Sequence, residues 1–157
     1  EIYTLSLHDA LPILKQTDNL GTQKDGMDAV LCSWNKNGRL EYALAYNSLL
    51  LIRKGELIET KGDKQPVGFH TGAQKPFTNH ELKLEKGDAI YIFSDGYADQ
   101  FGGERDKKFM LKNFKKLLLS IQDKTMNEQK TILEDTMKEW KGDTEQIDDI
   151  LVMGVRF

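Results

Sequence analysis

The chain has 157 residues, 39% hydrophobic and 30% charged, which suits one globular domain with a sizeable core and excludes a disordered segment. The formal net charge of −3 gives no general pull toward nucleic acid or anionic lipid. The single cysteine, Cys32, rules out an internal disulfide and speaks against a cysteine zinc site, and no apolar run reaches the ~20 residues that span a bilayer. These properties lead us to expect a cytoplasmic protein with neither nucleic-acid nor membrane contacts.

The chain opens with EIYTLSLHDALPI, which has neither the basic start nor the small-residue cleavage site of a signal peptide. It is encoded without mismatch by a codon string that resembles a common DNA-sequencing adapter. Residues 1–13 are therefore expected to be non-native, and residues 14–157 to be an N-terminally truncated domain. The alternative is a short native amphipathic segment. Residues 14–27 are polar and turn-rich.

Residues 28–35, DAVLCSWN, form a short apolar run that predicts a buried strand, with Cys32 as a small core residue and Trp34 as a packing residue. The Asn37-Gly38 pair predicts a type I′ turn. Residues 39–47 return with Leu40, Tyr42, Leu44 and Tyr46 on one side. Residues 48–60 predict a second hairpin with Lys54-Gly55 at its tip, and residues 61–77 a long loop. Residues 81–93 predict a third hairpin turning at Lys86-Gly87. The period then changes. Met110, Phe114, Leu117, Leu118 and Ile121 form a helical stripe. Thr125 and Glu128 form a capping box for a second helix, which Gly142 stops and on which Trp140 packs. Residues 148–157 predict a final strand. Strands, two helices and a strand give an α+β class, with helices on one face of an antiparallel sheet.

Two features carry chemistry. Asp95 closes one strand, and Asp148 and Asp149 open another. If those strands are antiparallel neighbours, the three carboxylates share one rim of the sheet. Carboxylates placed together repel, so the arrangement is costly unless a cation neutralises it. Hard oxygen ligands favour magnesium, manganese or calcium. Gly96 would let the backbone turn tightly beside such an ion. Taken singly, Asp-Gly is also a common turn, and an acid pair before a strand is also an exposed start.

In this order, LEKGDAIYIFSDGYADQFGG, two helices and QIDDILVMGV resemble the C-terminal half of the PPM-type metal-dependent serine/threonine protein phosphatases, in particular the bacterial SpoIIE-like branch. LEYALAYNSLLLIRKGEL and KQPVGF resemble that branch's central segment, so the similarity runs from Asp25 to Phe157. The resemblance implies an antiparallel β-sandwich flanked by helices and two manganese or magnesium ions. It implies hydrolysis of phosphoserine or phosphothreonine by a metal-activated water. By position it makes Asp95 and Asp148 metal ligands, Asp149 an auxiliary ligand and Gly96 the supporting turn. It also implies a phosphorylated protein substrate of the anti-sigma-regulator type, and a sensor domain upstream in the same chain.

Two departures from the pattern stand out. Ala45-Tyr46-Asn47 occupies the place of Gly-His-Asn. The upstream metal-bridging aspartate has no counterpart, so residues 14–157 alone are not expected to build the two-metal centre. The alternative function is a non-catalytic, phosphatase-like module that binds a partner. His8, His70 and His80 lack metal-ligand spacing. Asp25 and Asp28 read as a turn or an outer metal contact. The basic run from Arg105 to Lys116 reads as a solvated helix face or, as the alternative, a docking surface for an acidic partner or nucleic acid.

Overall fold

The computed structural model describes residues 26–68 and 75–157. The adapter-like segment, Asp25, His8 and His70 lie outside them. In chain order the elements begin with strands β1 (Gly26–Met27), β2 (Ala29–Trp34), β3 (Arg39–Ala45), β4 (Leu49–Arg53), β5 (Glu56–Thr60), β6 (Val67–Gly68), β7 (His80–Lys83) and β8 (Ala89–Phe93). Helix α1 (Gly96–Asp99), strands β9 (Phe101–Gly102) and β10 (Lys107–Lys108), helices α2 (Leu111–Ser120) and α3 (Met126–Lys141), and strand β11 (Val152–Arg156) follow. The described residues divide into two compact units, 26–49 with 60–68 and 75–85, and 50–59 with 86–157. No helix among the described residues is long and apolar enough to cross a membrane.

The first unit holds the three-stranded sheet β2-β3-β7 and the small pair β1-β6, both antiparallel. Leu40, Tyr42 and Leu44 of β3 are buried, as their alternation requires. Cys32 is half-buried, and burial pushes its thiol up to about 11, so it stays protonated and unreactive at neutral pH. Trp34 does not pack in a core as expected, being 58% exposed near the end of β2. Within the expected long loop, described residues on either side of 69–74 are joined directly. Buried Gln65 donates to the Lys75 carbonyl at 2.6 Å and accepts from the Lys75 amide at 3.1 Å.

The second hairpin turns at Lys54-Gly55 as expected, whereas the first does not form its expected type I′ turn. At Asn37-Gly38 only Gly38 has a positive φ, of 76°, and a type I′ turn needs two. The Asn35 carboxamide instead accepts from the Asn37 and Arg39 amides and closes a longer loop. The paired positive φ values occur at Lys54 (51°) and Gly55 (83°), between β4 and β5.

The second unit is the four-stranded sheet β11-β8-β4-β5 with helices on one face. Leu50 and Ile52 of β4 and Ala89, Tyr91 and Phe93 of β8 alternate onto that face. There they pack against Phe114 and Leu118 of α2 and Leu133 and Met137 of α3. Met110 departs from its stripe: it is 56% exposed and precedes α2 with a φ of 75°. The cap of α3 forms as predicted. Thr125 Oγ1 accepts from the Glu128 amide, Glu128 Oε2 accepts from the Thr125 amide, and Gly142 ends the helix. Backbone and side-chain bonds to Thr125 hold the Glu128 carboxyl below the usual carboxylate range.

The third predicted hairpin is absent. β7 pairs with β3, whereas β8 lies between β11 and β4, so the chain changes sheets at Lys86-Gly87. Alternating apolar runs on both sides of a Lys-Gly turn specify two strands but not their partners. The short elements α1, β9 and β10 carry no periodicity long enough to read.

Candidate metal centre

β8 and β11 are antiparallel neighbours, with Phe93 opposite Val152 and Ala89 opposite Arg156. The end of β8 therefore lies beside the approach to β11. Asp95 leaves one and Asp148-Asp149 lead into the other, at the same rim of the four-stranded sheet. The acids stand three and four residues ahead of β11 rather than on its first residues.

Ser94 joins the two segments. Its Oγ donates to the Asp149 carbonyl at 2.7 Å and accepts from the Leu151 amide at 2.9 Å. Its own amide donates to the Leu151 carbonyl at 3.0 Å. Pairing thus continues one residue past the strands, through a side chain. Gly96 lies against the same carbonyl. A Cβ there would meet Asp149 O at 2.4 Å, closer than real atoms approach. Gly96 begins α1, and its missing side chain admits the Asp149 backbone.

Asp95 takes the N-cap position of α1, but its carboxylate makes no capping bond and the residue is exposed. Its carbonyl accepts from the Asp99 amide at 2.9 Å. Asp148 Oδ1 accepts from the Asp149 amide at 2.7 Å, and the Asp148 carbonyl accepts from Gln146 Nε2 at 2.8 Å. Asp148 and Asp149 are both exposed. Backbone register thus brings the three acids to one rim. Among the described residues, however, no group of three or more His, Cys, Asp or Glu side chains is arranged to hold a metal ion. The carboxylates fit a hard divalent cation in chemical kind and fall short of a full ligand set in number.

The remaining candidates separate cleanly. His80 stacks on Tyr42 with ring centroids 5.1 Å apart. Asp28 is exposed between β1 and β2. In the basic run, Lys108 pairs with Asp99 and Lys115 with Glu59, each at 2.8 Å, and Arg105, Lys107, Lys112 and Lys116 are exposed. Tyr46 is exposed with a φ of 58°, in the left-handed region that bulky residues rarely enter. Its amide donates to the Asp63 carbonyl at 2.9 Å, so this position is marked by its backbone conformation.

Sequence reasoning missed two residues of this rim. Ser94 was legible only as the last residue of an apolar run. Gln100, fully buried, donates from Nε2 to the Glu145 carbonyl at 2.9 Å, in the loop that carries the acid pair. A lone glutamine in a polar stretch gives no signal of such a contact.

The family model for Stage II sporulation protein E (SpoIIE) matches residues 5–157. Among solved structures, the SiaA-PP2C domain of Pseudomonas aeruginosa is 30% identical with a TM-score of 0.67, the match covering 76% of this chain and 46% of that one. The manganese-presoaked phosphatase domain of SpoIIE from Bacillus subtilis is 13% identical with a TM-score of 0.56, covering 82% and 56%. The catalytic domain of the serine threonine protein phosphatase PstP, in complex with two manganese ions, is 15% identical with a TM-score of 0.55, covering 94% and 63%. The chain spans about half the length of the first two structures it matches. No curated protein matches it. The expected α+β class with antiparallel sheets agrees with these PP2C-type folds.

Proposed function

Because the chain belongs to the SpoIIE family of PP2C-type phosphatase domains, we propose that it forms the metal-ligating C-terminal part of a domain that hydrolyses phosphoserine or phosphothreonine in a protein substrate. One observation carries this reading: the β8–β11 register sets Asp95 and Asp148 at one rim, with Asp95 exposed and uncapped. Asp95 and Asp148 would hold divalent cations, manganese or magnesium, with Asp149 as an auxiliary ligand. When bound, the ions would supply an activated water and neutralise charge on the phosphoryl oxygens. The chain's own part is to hold the carboxylates in place. Ser94 ties Asp149 to the end of β8, and Gly96 admits the Asp149 carbonyl. The PstP structure, with its two manganese ions, supports a two-ion site.

The ligand set is incomplete among the described residues, and on this reading a further carboxylate from upstream chain completes the centre. Residues 14–157 alone should then show no manganese-dependent release of phosphate from a phosphoserine peptide, whereas the full-length protein should. Measurable turnover by residues 14–157 would overturn this division of the site. The same incomplete set favours a second reading, a non-catalytic module that binds a partner. A full-length protein that lacks the further carboxylate and has no turnover would decide for it. We further propose that residues 1–13 are non-native, which sequencing the source locus across the codon for Leu14 tests.

A further inference from the structure

The loop between α3 and β11 carries Asp148 and Asp149, and it is fastened at both ends by one stretch of chain, residues 94–103. Ser94 and Gly96 hold its far end, as described. Its near end depends on Gln100. The Gln100 Nε2 donates to the Glu145 carbonyl at 2.9 Å and to the Phe101 carbonyl at 3.1 Å. The Gln100 carbonyl accepts from Trp140 Nε1 at 3.1 Å and from the Phe109 amide at 2.9 Å. The Gly103 amide donates to the Trp140 carbonyl at 2.8 Å. Gly102 leaves no room for a side chain there, since a Cβ would fall 1.9 Å from that same carbonyl. The end of α3 and the start of the acid loop are thereby fixed to the segment that begins with Asp95.

The side chain of Gln100 is 0% exposed, and its Oε1 has no hydrogen-bond partner among the described residues. An orphan acceptor in a buried site is unfavourable, and an apolar residue of equal length would not carry one. What the glutamine adds over such a residue is the Nε2 donor, and that donor reaches the acid loop.

We propose that Gln100 is a positioning residue for the metal centre. Its bond to the Glu145 carbonyl sets where Asp148, three residues on, presents its carboxylate relative to Asp95. This rests on the phosphatase reading above. Gln100 itself reaches neither acid, so it acts through the backbone of the loop.

Gln100→Met keeps length and packing and removes the donor. Leu118→Ala, in the fully buried core of α2, is the control for general destabilisation. In the full-length protein, Gln100→Met should raise the manganese half-saturation concentration about 10- to 100-fold. Its kcat at saturating manganese should return close to wild type. Leu118→Ala should lower the melting temperature and leave half-saturation unchanged. In the 157-residue chain, amide exchange of Gln100→Met should quicken across residues 143–149 and stay unchanged in α2. A Gln100→Met variant with wild-type half-saturation and wild-type exchange would overturn the proposal. So would a Leu118→Ala variant that shifts half-saturation as far as Gln100→Met does. If the wild-type full-length protein shows no manganese-dependent turnover, the phosphatase reading fails, and the exchange measurement alone then decides for or against Gln100.

Discussion

Strand β8 has an aspartate on each side, and the two sit in opposite surroundings. Asp88, just before it, is 1% exposed, and Arg53 grips its carboxylate with two hydrogen bonds, Nε to Oδ1 at 2.9 Å and Nη2 to Oδ2 at 2.6 Å. Its carbonyl also accepts from the Phe157 amide, so Asp88 ties β4, β8 and the chain end together. Asp95, just after the strand, is exposed and makes no capping bond. Seven residues apart, one acid has its charge answered by the fold, and the other is presented to solvent beside two more acids. An aspartate whose lone pairs are satisfied inside the protein does structural work. One at a strand end whose carboxylate makes no capping bond among the described residues is available to a ligand.

The comparison breaks most easily at Asp88. Asp88→Ala leaves the half-buried Arg53 guanidinium without its bidentate partner, and equilibrium urea unfolding should show a loss of about 3–5 kcal/mol. A loss below 1 kcal/mol would mean that solvent screens the pair and that the two acids differ less than their geometry indicates. Gly96→Ala comes next. Its Cβ would press on the Asp149 carbonyl, and the backbone must give way at a cost of about 1–3 kcal/mol, read from the same urea curves. That substitution should also disturb the acid rim, which Asp88→Ala leaves alone. Asp95→Asn should have the smallest effect on folding, within about 0.5 kcal/mol of wild type. In the full-length protein it should lower manganese-dependent turnover more than about 100-fold, beyond what supporting residues cost. An Asp95→Asn variant that unfolds readily, or that keeps its turnover, would place Asp95 with Asp88 among the structural acids.

Much of this was readable along the chain because it depends on short-range pattern. The α3 cap at Thr125 and Glu128 and its stop at Gly142 are local backbone chemistry, and they form where the residues stand. The alternation in β3 predicts which side chains are buried, and the acids at two strand ends point to one rim. Where the reading failed, the missing information was pairing. Residues 81–93 have the form of a hairpin, yet β7 and β8 join different sheets. Asn37-Gly38 has the stronger turn signature, yet the double positive φ falls at Lys54-Gly55. Trp34 has a core side chain on an exposed position.

The sequence by itself determined the α+β class, the ends of α3, the candidate ligands Asp95, Asp148 and Asp149, and the absence of an internal disulfide. Each of these follows from residue type and from spacing within a few residues. Only the tertiary structure decided that Ser94 splices the two acid-bearing segments and that Gly96 gives the Asp149 carbonyl room to approach. It also decided that Gln100 reaches Glu145, and that Asp88 spends its charge on Arg53. Those roles depend on contacts between residues tens of positions apart, and a hydrogen bond across that separation leaves no periodic trace in the chain that makes it.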